Sequence, residues 1–284
     1  MPVATDRFIL DGNVLHSSMH TLNIGGFFVY LYGVDELTPS QALDTSVMFH
    51  VHGRTRTYHD AEEIAHQLLY SLRESGGTHK GLVIATLDNR NHGIRAIDNV
   101  AIQDWQGGNP KHAQDMISMI DGIVDDVKLI MNYLPSYVSF TPTEYIATGL
   151  SLGGHVTWNL LAEVEDIKKA IIIVGCPDLT GLMLNRLGGY TSTTEVPPNT
   201  PEWPHSVEEL YAQRDKKVSN ITGKEILILN GGIDTLVPDK YTKRWVENYA
   251  ANNNVTYIVQ DGFGHGLSYG MMSDFEKYVP HLLN

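Results

Sequence analysis

Short apolar runs alternate along this chain with stretches whose apolar positions recur every three or four residues. The first pattern suits strands buried on both faces, the second helices buried on one. Phe27 to Tyr32 predicts an early strand, antiparallel and at the sheet edge. Ser46 to His52 predicts the next, stopped by Gly53. A helix follows over Ala61 to Glu74, then a strand over Gly81 to Leu87. Met116, Ile117, Ile120, Ile123, Val124, Val127 and Ile130 share one face of a long helix from His112 to Leu134. Glu144 to Thr148 is strand-like, Gly154 to Ala162 helical, and Ile171 to Cys176 strand-like again. Glu225 to Leu229, Pro238 to Ala251, Thr256 to Gln260 and Ser268 to Leu283 continue as strand, helix, strand and helix. This alternation predicts an α/β fold, a mostly parallel central sheet with helices on both faces.

The pattern fails between Asp178 and Thr222. Pro197, Pro198, Pro201 and Pro204 crowd this stretch beside Gly188 and Gly189, and amphipathicity returns only over Ser206 to Arg214. The expectation is a core of residues 1–177 and 223–284, with residues 178–222 inserted as a small cap. A long surface loop with one helix is the other form this stretch could take.

Composition narrows the partners. The 284 residues carry a net charge of −13, which disfavours nucleic acid and anionic membranes. The single cysteine, Cys176, excludes an internal disulfide and reads as a buried strand-end thiol. No basic segment followed by an apolar run opens the chain, and no run approaches the roughly 18 apolar residues of a membrane span. A cytoplasmic protein is expected. Oligomeric state is not legible.

The chemistry centres on Gly149-Leu150-Ser151-Leu152-Gly153, placed between a strand and a helix. A serine hydroxyl is a weak nucleophile unless a sharp turn lifts it beside a base and in front of N–H donors. Glycines on both sides let the chain segments approach. A hydrolytic serine also needs a base and an orienting acid. His265, in Gly264-His265-Gly266 directly after the last strand, is the candidate base. Asp234, in Gly232-Ile233-Asp234-Thr235-Leu236-Val237-Pro238 after the preceding strand, is the candidate acid. Asp178, one strand earlier, is its rival. The oxyanion donors expected are the backbone N–H of Leu152, at a helix N-terminus, and that of Arg54 or Gly53 after the strand ending in His52-Gly53. The Arg54 side chain is a further candidate for holding a substrate carboxylate. Trp105, Met183, Leu187, Tyr190 and Trp203 are candidates for lining a substrate pocket. His50 and His92 read as structural histidines. No helix-face metal spacing is present, and no cofactor is expected.

Across almost its full length the chain resembles the α/β-hydrolase fold superfamily. The resemblance rests on His52-Gly53, Gly149 to Gly154, Gly232 to Pro238 and Gly264-His265-Gly266, in that order. Asp88-Asn89-Arg90-Asn91-His92-Gly93 resembles a loop of esterase-like members. The stretch from Asn99 through Trp105, Gly107, Gly108, Asn109, His112, Asp115 and Met116 resembles an esterase- or peptidase-like branch. The resemblance implies a metal-free acyl hydrolase that passes its serine, acid and base onto Ser151, Asp234 and His265. The expected substrate is a small-to-medium carboxylic ester. Other chemistries fit the same residues. A peptidase would use Glu195, Glu202, Glu208 or Glu209 to hold a free amino terminus. A thioesterase would use Arg186 and Arg214 for a carrier's phosphates. An acyltransferase would need a dry pocket. A non-hydrolytic ligand receptor on the same fold is the remaining alternative.

Overall fold

The computed structural model describes residues 3–188 and 199–283. Its strands are β1 (Met19–Ile24), β2 (Phe27–Tyr32), β3 (Thr45–Val51), β4 (Gly81–Thr86), β5 (Pro142–Leu150), β6 (Ile167–Ile173), β7 (Glu225–Gly231) and β8 (Asn254–Gln260). They form one sheet in the order β1-β2-β4-β3-β5-β6-β7-β8. From β4 to β8 every neighbouring pair is parallel, while β2 runs antiparallel to both β1 and β4. β2 is therefore antiparallel as expected but not the edge. β1 covers it, and β1 has almost no apolar run because only Ile24 of its six residues is buried.

The helices are α1 (Pro39–Ala42), α2 (Tyr58–Glu74), α3 (His112–Tyr133), α4 (Leu152–Glu163), α5 (Leu179–Gly188), α6 (His205–Ser219), α7 (Lys240–Tyr249) and α8 (Tyr269–Leu282). Successive strand side chains point to opposite faces, so each central strand feeds two cores. Val47, Phe49, Ile172 and Ile228 pack on one face with α3, α4 and α6. Met48, Ile171, Ile173, Leu227 and Leu229 pack on the other with α2 and α8. That two-sided burial is why the strands read as continuous apolar runs.

Among the described residues of 178–222 there are two helices, α5 and α6. α6 lies in the helical layer against α3 and α4: Tyr211 Oη donates to the Ala113 carbonyl at 2.9 Å, and the Trp203 and Tyr211 rings sit 4.9 Å apart. Among the described residues no helix is long and apolar enough to cross a membrane.

Parallel strands point their carboxyl ends the same way. Register pairs Val51 with Gly149 and Leu150 with Ile173, so the tips of β3, β5 and β6 are level. The loops that leave these tips meet at one rim of the sheet, where sites form in open α/β sheets.

Candidate active site

Ser151 occupies the turn between β5 and α4 at φ 57° and ψ −110°. Side chains avoid this left-handed conformation, and holding it costs on the order of 1–3 kcal/mol. The surroundings over-determine it. Ser151 N–H donates to the Ile173 carbonyl at 2.9 Å, and α4 starts at the next residue. A Cβ on Gly149 would collide with the Gly153 carbonyl, and one on Gly153 with the Val51 carbonyl, so only glycine lets strand and helix close this tightly.

His265 reaches this turn from the loop after β8. Its Nε2 lies 2.8 Å from Ser151 Oγ and its Nδ1 lies 2.7 Å from Asp234 Oδ2. The carboxylate accepts from Nδ1–H, which leaves Nε2 as the acceptor facing the serine hydroxyl. Asp234 is sealed from solvent, whereas the His265 side chain keeps 22% of its surface exposed. The other Asp234 oxygen accepts the Leu236 and Val237 N–H groups at 2.8 Å each, which holds the carboxylate in one orientation. Asp178 is engaged elsewhere: it ion-pairs with Arg244 and accepts the Gly181 N–H at 2.8 Å near the start of α5. The structure thus brings Ser151, His265 and Asp234 together and leaves Asp178 out.

Gly53 packs against the serine; a Cβ there would stand 3.6 Å from Ser151 Cβ. Its carbonyl is tied back by His52 Nδ1 at 2.8 Å, and His52 Nε2 accepts the Asn89 N–H at 3.0 Å. Burial pushes the His52 pKa down to about 4, so the ring is neutral and Nδ1 is its donor. A trans peptide points its C=O and N–H in opposite directions. Securing the Gly53 carbonyl therefore aims the Arg54 N–H the other way. Among the described residues neither the Leu152 nor the Arg54 N–H has an internal acceptor. The Leu152 N–H is one of the first-turn donors that a helix leaves open.

Two cavities flank the Gly53-Arg54 turn. One of about 310 Å³ is lined by Arg54, Asp104, Trp105, Arg186, Thr235 and Leu236. The other, about 300 Å³, has Phe8, Ile9, Ile64, Leu150 and Leu267 among its walls, next to Gly53 and Gly266. Of the expected pocket residues, Trp105 lines the first cavity. Met183 and Trp203 do not line it; both are fully buried in the core, because α5 and the entry to α6 pack inward. Leu187 packs half-buried against that core. Tyr190 and Glu195 lie outside the described residues. Arg214 is ion-paired with Asp121 on α3, so it is spent on packing.

Other candidates resolve as structure. His50 is buried with its pKa pushed down to about 3, and its Nδ1 lies 3.3 Å from Thr148 Oγ1. His92 Nδ1 contacts the Arg90 carbonyl at 2.9 Å. Arg90 pairs with Asp126 of α3, and Asp88 accepts the Tyr58 and Ile94 N–H groups, so this loop is tied to α3 and to the start of α2. Cys176 is buried, and burial raises its thiol. Among the described residues no cluster of three or more His, Cys, Asp or Glu is placed to hold a metal.

Sequence reasoning missed two contributors and gave a third, Arg186, another role. Asn89 locks His52 through its N–H and its side-chain amide, which donates to the His52 carbonyl at 2.9 Å. Arg7 donates to the His265 carbonyl at 3.2 Å from an amino-terminal strap whose Phe8 N–H bonds the Leu267 carbonyl. Both contacts join segments far apart in sequence. Arg186 was visible only as a sparse basic residue.

No family model matches the sequence, and no curated protein sequence matches it. Solved structures do. TT1662 from Thermus thermophilus is 17% identical with a TM-score of 0.66, over 95% of this chain and 99% of that one. The Pyrococcus furiosus esterase Pf2001 is 15% identical with a TM-score of 0.58, over 99% and 97%. A puromycin-hydrolyzing peptidase of Mycobacterium tuberculosis is 15% identical with a TM-score of 0.65, over 93% of this chain but 38% of that one. With its parallel sheet, its strand–turn–helix at Ser151 and these neighbours, the chain has the fold of the α/β-hydrolase superfamily.

Proposed function

We propose that this protein is a serine hydrolase that cleaves a small-to-medium carboxylic ester through an acyl-enzyme. The observation that carries the reading is the continuous hydrogen-bonded line from buried Asp234 through His265 to Ser151 Oγ. In this reading Ser151 Oγ attacks the carbonyl carbon while His265 Nε2 takes its proton. Asp234 stabilises the resulting imidazolium. The tetrahedral oxyanion accepts hydrogen bonds from the Leu152 and Arg54 N–H groups, each worth about 3–4 kcal/mol of barrier. His265 then protonates the leaving alcohol. Water, deprotonated by the same imidazole, attacks the acyl-enzyme and frees the acid. The insert at 178–222 serves the site through α5, which carries Arg186 to the cavity; α6 belongs to the helical layer.

The same three residues suit amide cleavage, and a peptidase shares the fold. The described cavity favours the ester. A free amino terminus needs an available carboxylate, and the one present, Asp104, faces Arg54 at 3.4 Å. Labelling by a fluorophosphonate, located to Ser151 by peptide mass and accompanied by turnover of p-nitrophenyl butyrate, is the expected result. Labelling without turnover would point to a ligand receptor, and no labelling would overturn the reading.

A further inference from the structure

The cavity between Arg54 and Arg186 carries a charge that the proposed reaction does not use. Arg186 Nη2 donates to the Leu236 carbonyl at 2.7 Å, and among the described residues its Nη1 meets only the Met183 thioether at 3.8 Å. Its Nε is buried without an acceptor, and among the described residues no carboxylate forms an ion pair with it. Arg54 is better satisfied, with Nη1 on the Ile102 carbonyl at 2.8 Å and Nη2 facing Asp104. Among the described residues two guanidiniums and one carboxylate therefore line the space, which leaves one positive charge without a counter-charge there in a chain of net charge −13. Burying part of an unpaired cation is costly, so such a group marks a place where an anion arrives. Trp105, which also lines the cavity, has a second buried donor, Nε1, without an acceptor among the described residues.

The charge sits beside the reacting atoms. Arg54 follows Gly53, which packs on Ser151, while Thr235 and Leu236 follow Asp234. Burial first, and then the fields of Arg186, His265 and Arg54, depress His155, one helical turn after Ser151, so these groups share one neighbourhood.

We propose that this cavity binds a carboxylate borne by the substrate, with the Arg186 guanidinium as its principal partner and Arg54 and Trp105 also lining the site. A planar, forked guanidinium with free N–H groups matches a carboxylate's two oxygens. The substrate class becomes half-esters: esters whose acyl or alcohol part ends in a carboxylate. This rests on the hydrolase reading, but the anion site can be tested apart from it.

The kinetic test compares two pairs of esters. One is mono(4-nitrophenyl) glutarate against its methyl diester; the other is 4-acetoxybenzoate against its methyl ester. The expected result is at least a tenfold higher kcat/KM for the carboxylate member of one pair, shrinking with added salt and falling about tenfold in Arg186→Gln. Equal, measurable turnover within both pairs, or a preference untouched by Arg186→Gln, would overturn the proposal. The binding test titrates monomethyl glutarate, dimethyl glutarate and inorganic phosphate into the full-length wild-type protein by calorimetry, which does not depend on any variant folding. Tighter binding of monomethyl glutarate than of the other two supports the carboxylate site, even if none of the four esters is hydrolysed. In that case the hydrolase reading falls and the anion site stands. Tighter binding of phosphate, or no binding of monomethyl glutarate, would overturn it.

Discussion

At the scale of single residues, the site consists of groups whose freedom has been removed by neighbours. Ser151 is strained, His265 is held by Asp234 and by Arg7, and Asp234 is held by two backbone N–H groups. Asp234→Asn keeps the shape and changes the tautomer that His265 can hold. The expected loss in kcat is about 10⁴-fold with an unchanged melting temperature, read by steady-state kinetics and calorimetry. His52 acts one step further back, through the Gly53 carbonyl. Replacing it with Phe frees that peptide, and kcat should drop on the order of 10²-fold while KM changes little, as for a lost oxyanion donor. Ser151, His265 and Asp234 were legible because each sits in a glycine-marked turn after an apolar strand. The sequence favoured Asp234 over Asp178 without forcing the choice. Both follow strand tips, and what separates them is Arg244, 66 residues from Asp178 along the chain. The Arg186 cavity was hidden, since it needs α5 and the loop after β7 to meet.

At the scale of elements, strands and helices announced themselves where burial forced a period of two or of three to four. Two exceptions have physical causes. β1 is exposed and polar along most of its length, so no apolar signal marks it. Residues 178–222 carry prolines and glycines that interrupt any helical period, although α5 and α6 both form there. The central elements also bury histidines. Desolvation lowers His50, His112 and His155 to about 3 and His52 to about 4. A histidine with a folded pKa below its unfolded value of about 6.5 holds its proton less well when folded. Its full contribution is present above pH 6.5 and is lost as pH falls toward 4 and below, at about 1.4 kcal/mol per pH unit for each group. Asp215, raised to about 6 by burial, opposes this because its carboxyl prefers the folded state in acid. Because these four histidines outweigh Asp215, the melting temperature should fall steadily from pH 7 to pH 4.5, measured by scanning calorimetry. An acid-insensitive melting curve would contradict the neutral, buried assignment.

At the scale of the molecule, one sheet with two helical layers places three separate loops at a single rim, which is how residues spread from Ser151 to His265 converge. α6 belongs to this framework. Trp203 and Tyr211 are fully buried between α6 and the layer of α3 and α4. Trp203→Ala should therefore cost about 3–5 kcal/mol in denaturant unfolding, as for large-to-small changes in a core. A cost below about 1 kcal/mol would mean that α6 lies over the site rather than in the core. The net charge of −13 surrounding an arginine-lined cavity also means that salt should change rates on anionic esters more than on neutral ones. The measurement that bears most directly on the proposed chemistry is hydrolysis of p-nitrophenyl esters from C2 to C12 by wild type and by Ser151→Ala. Turnover by the wild type that falls at least about 10³-fold in a folded Ser151→Ala protein is the predicted result, and the chain-length optimum would size the pocket. Activity that survives the substitution, or its absence from the wild type at every length, would contradict a serine esterase.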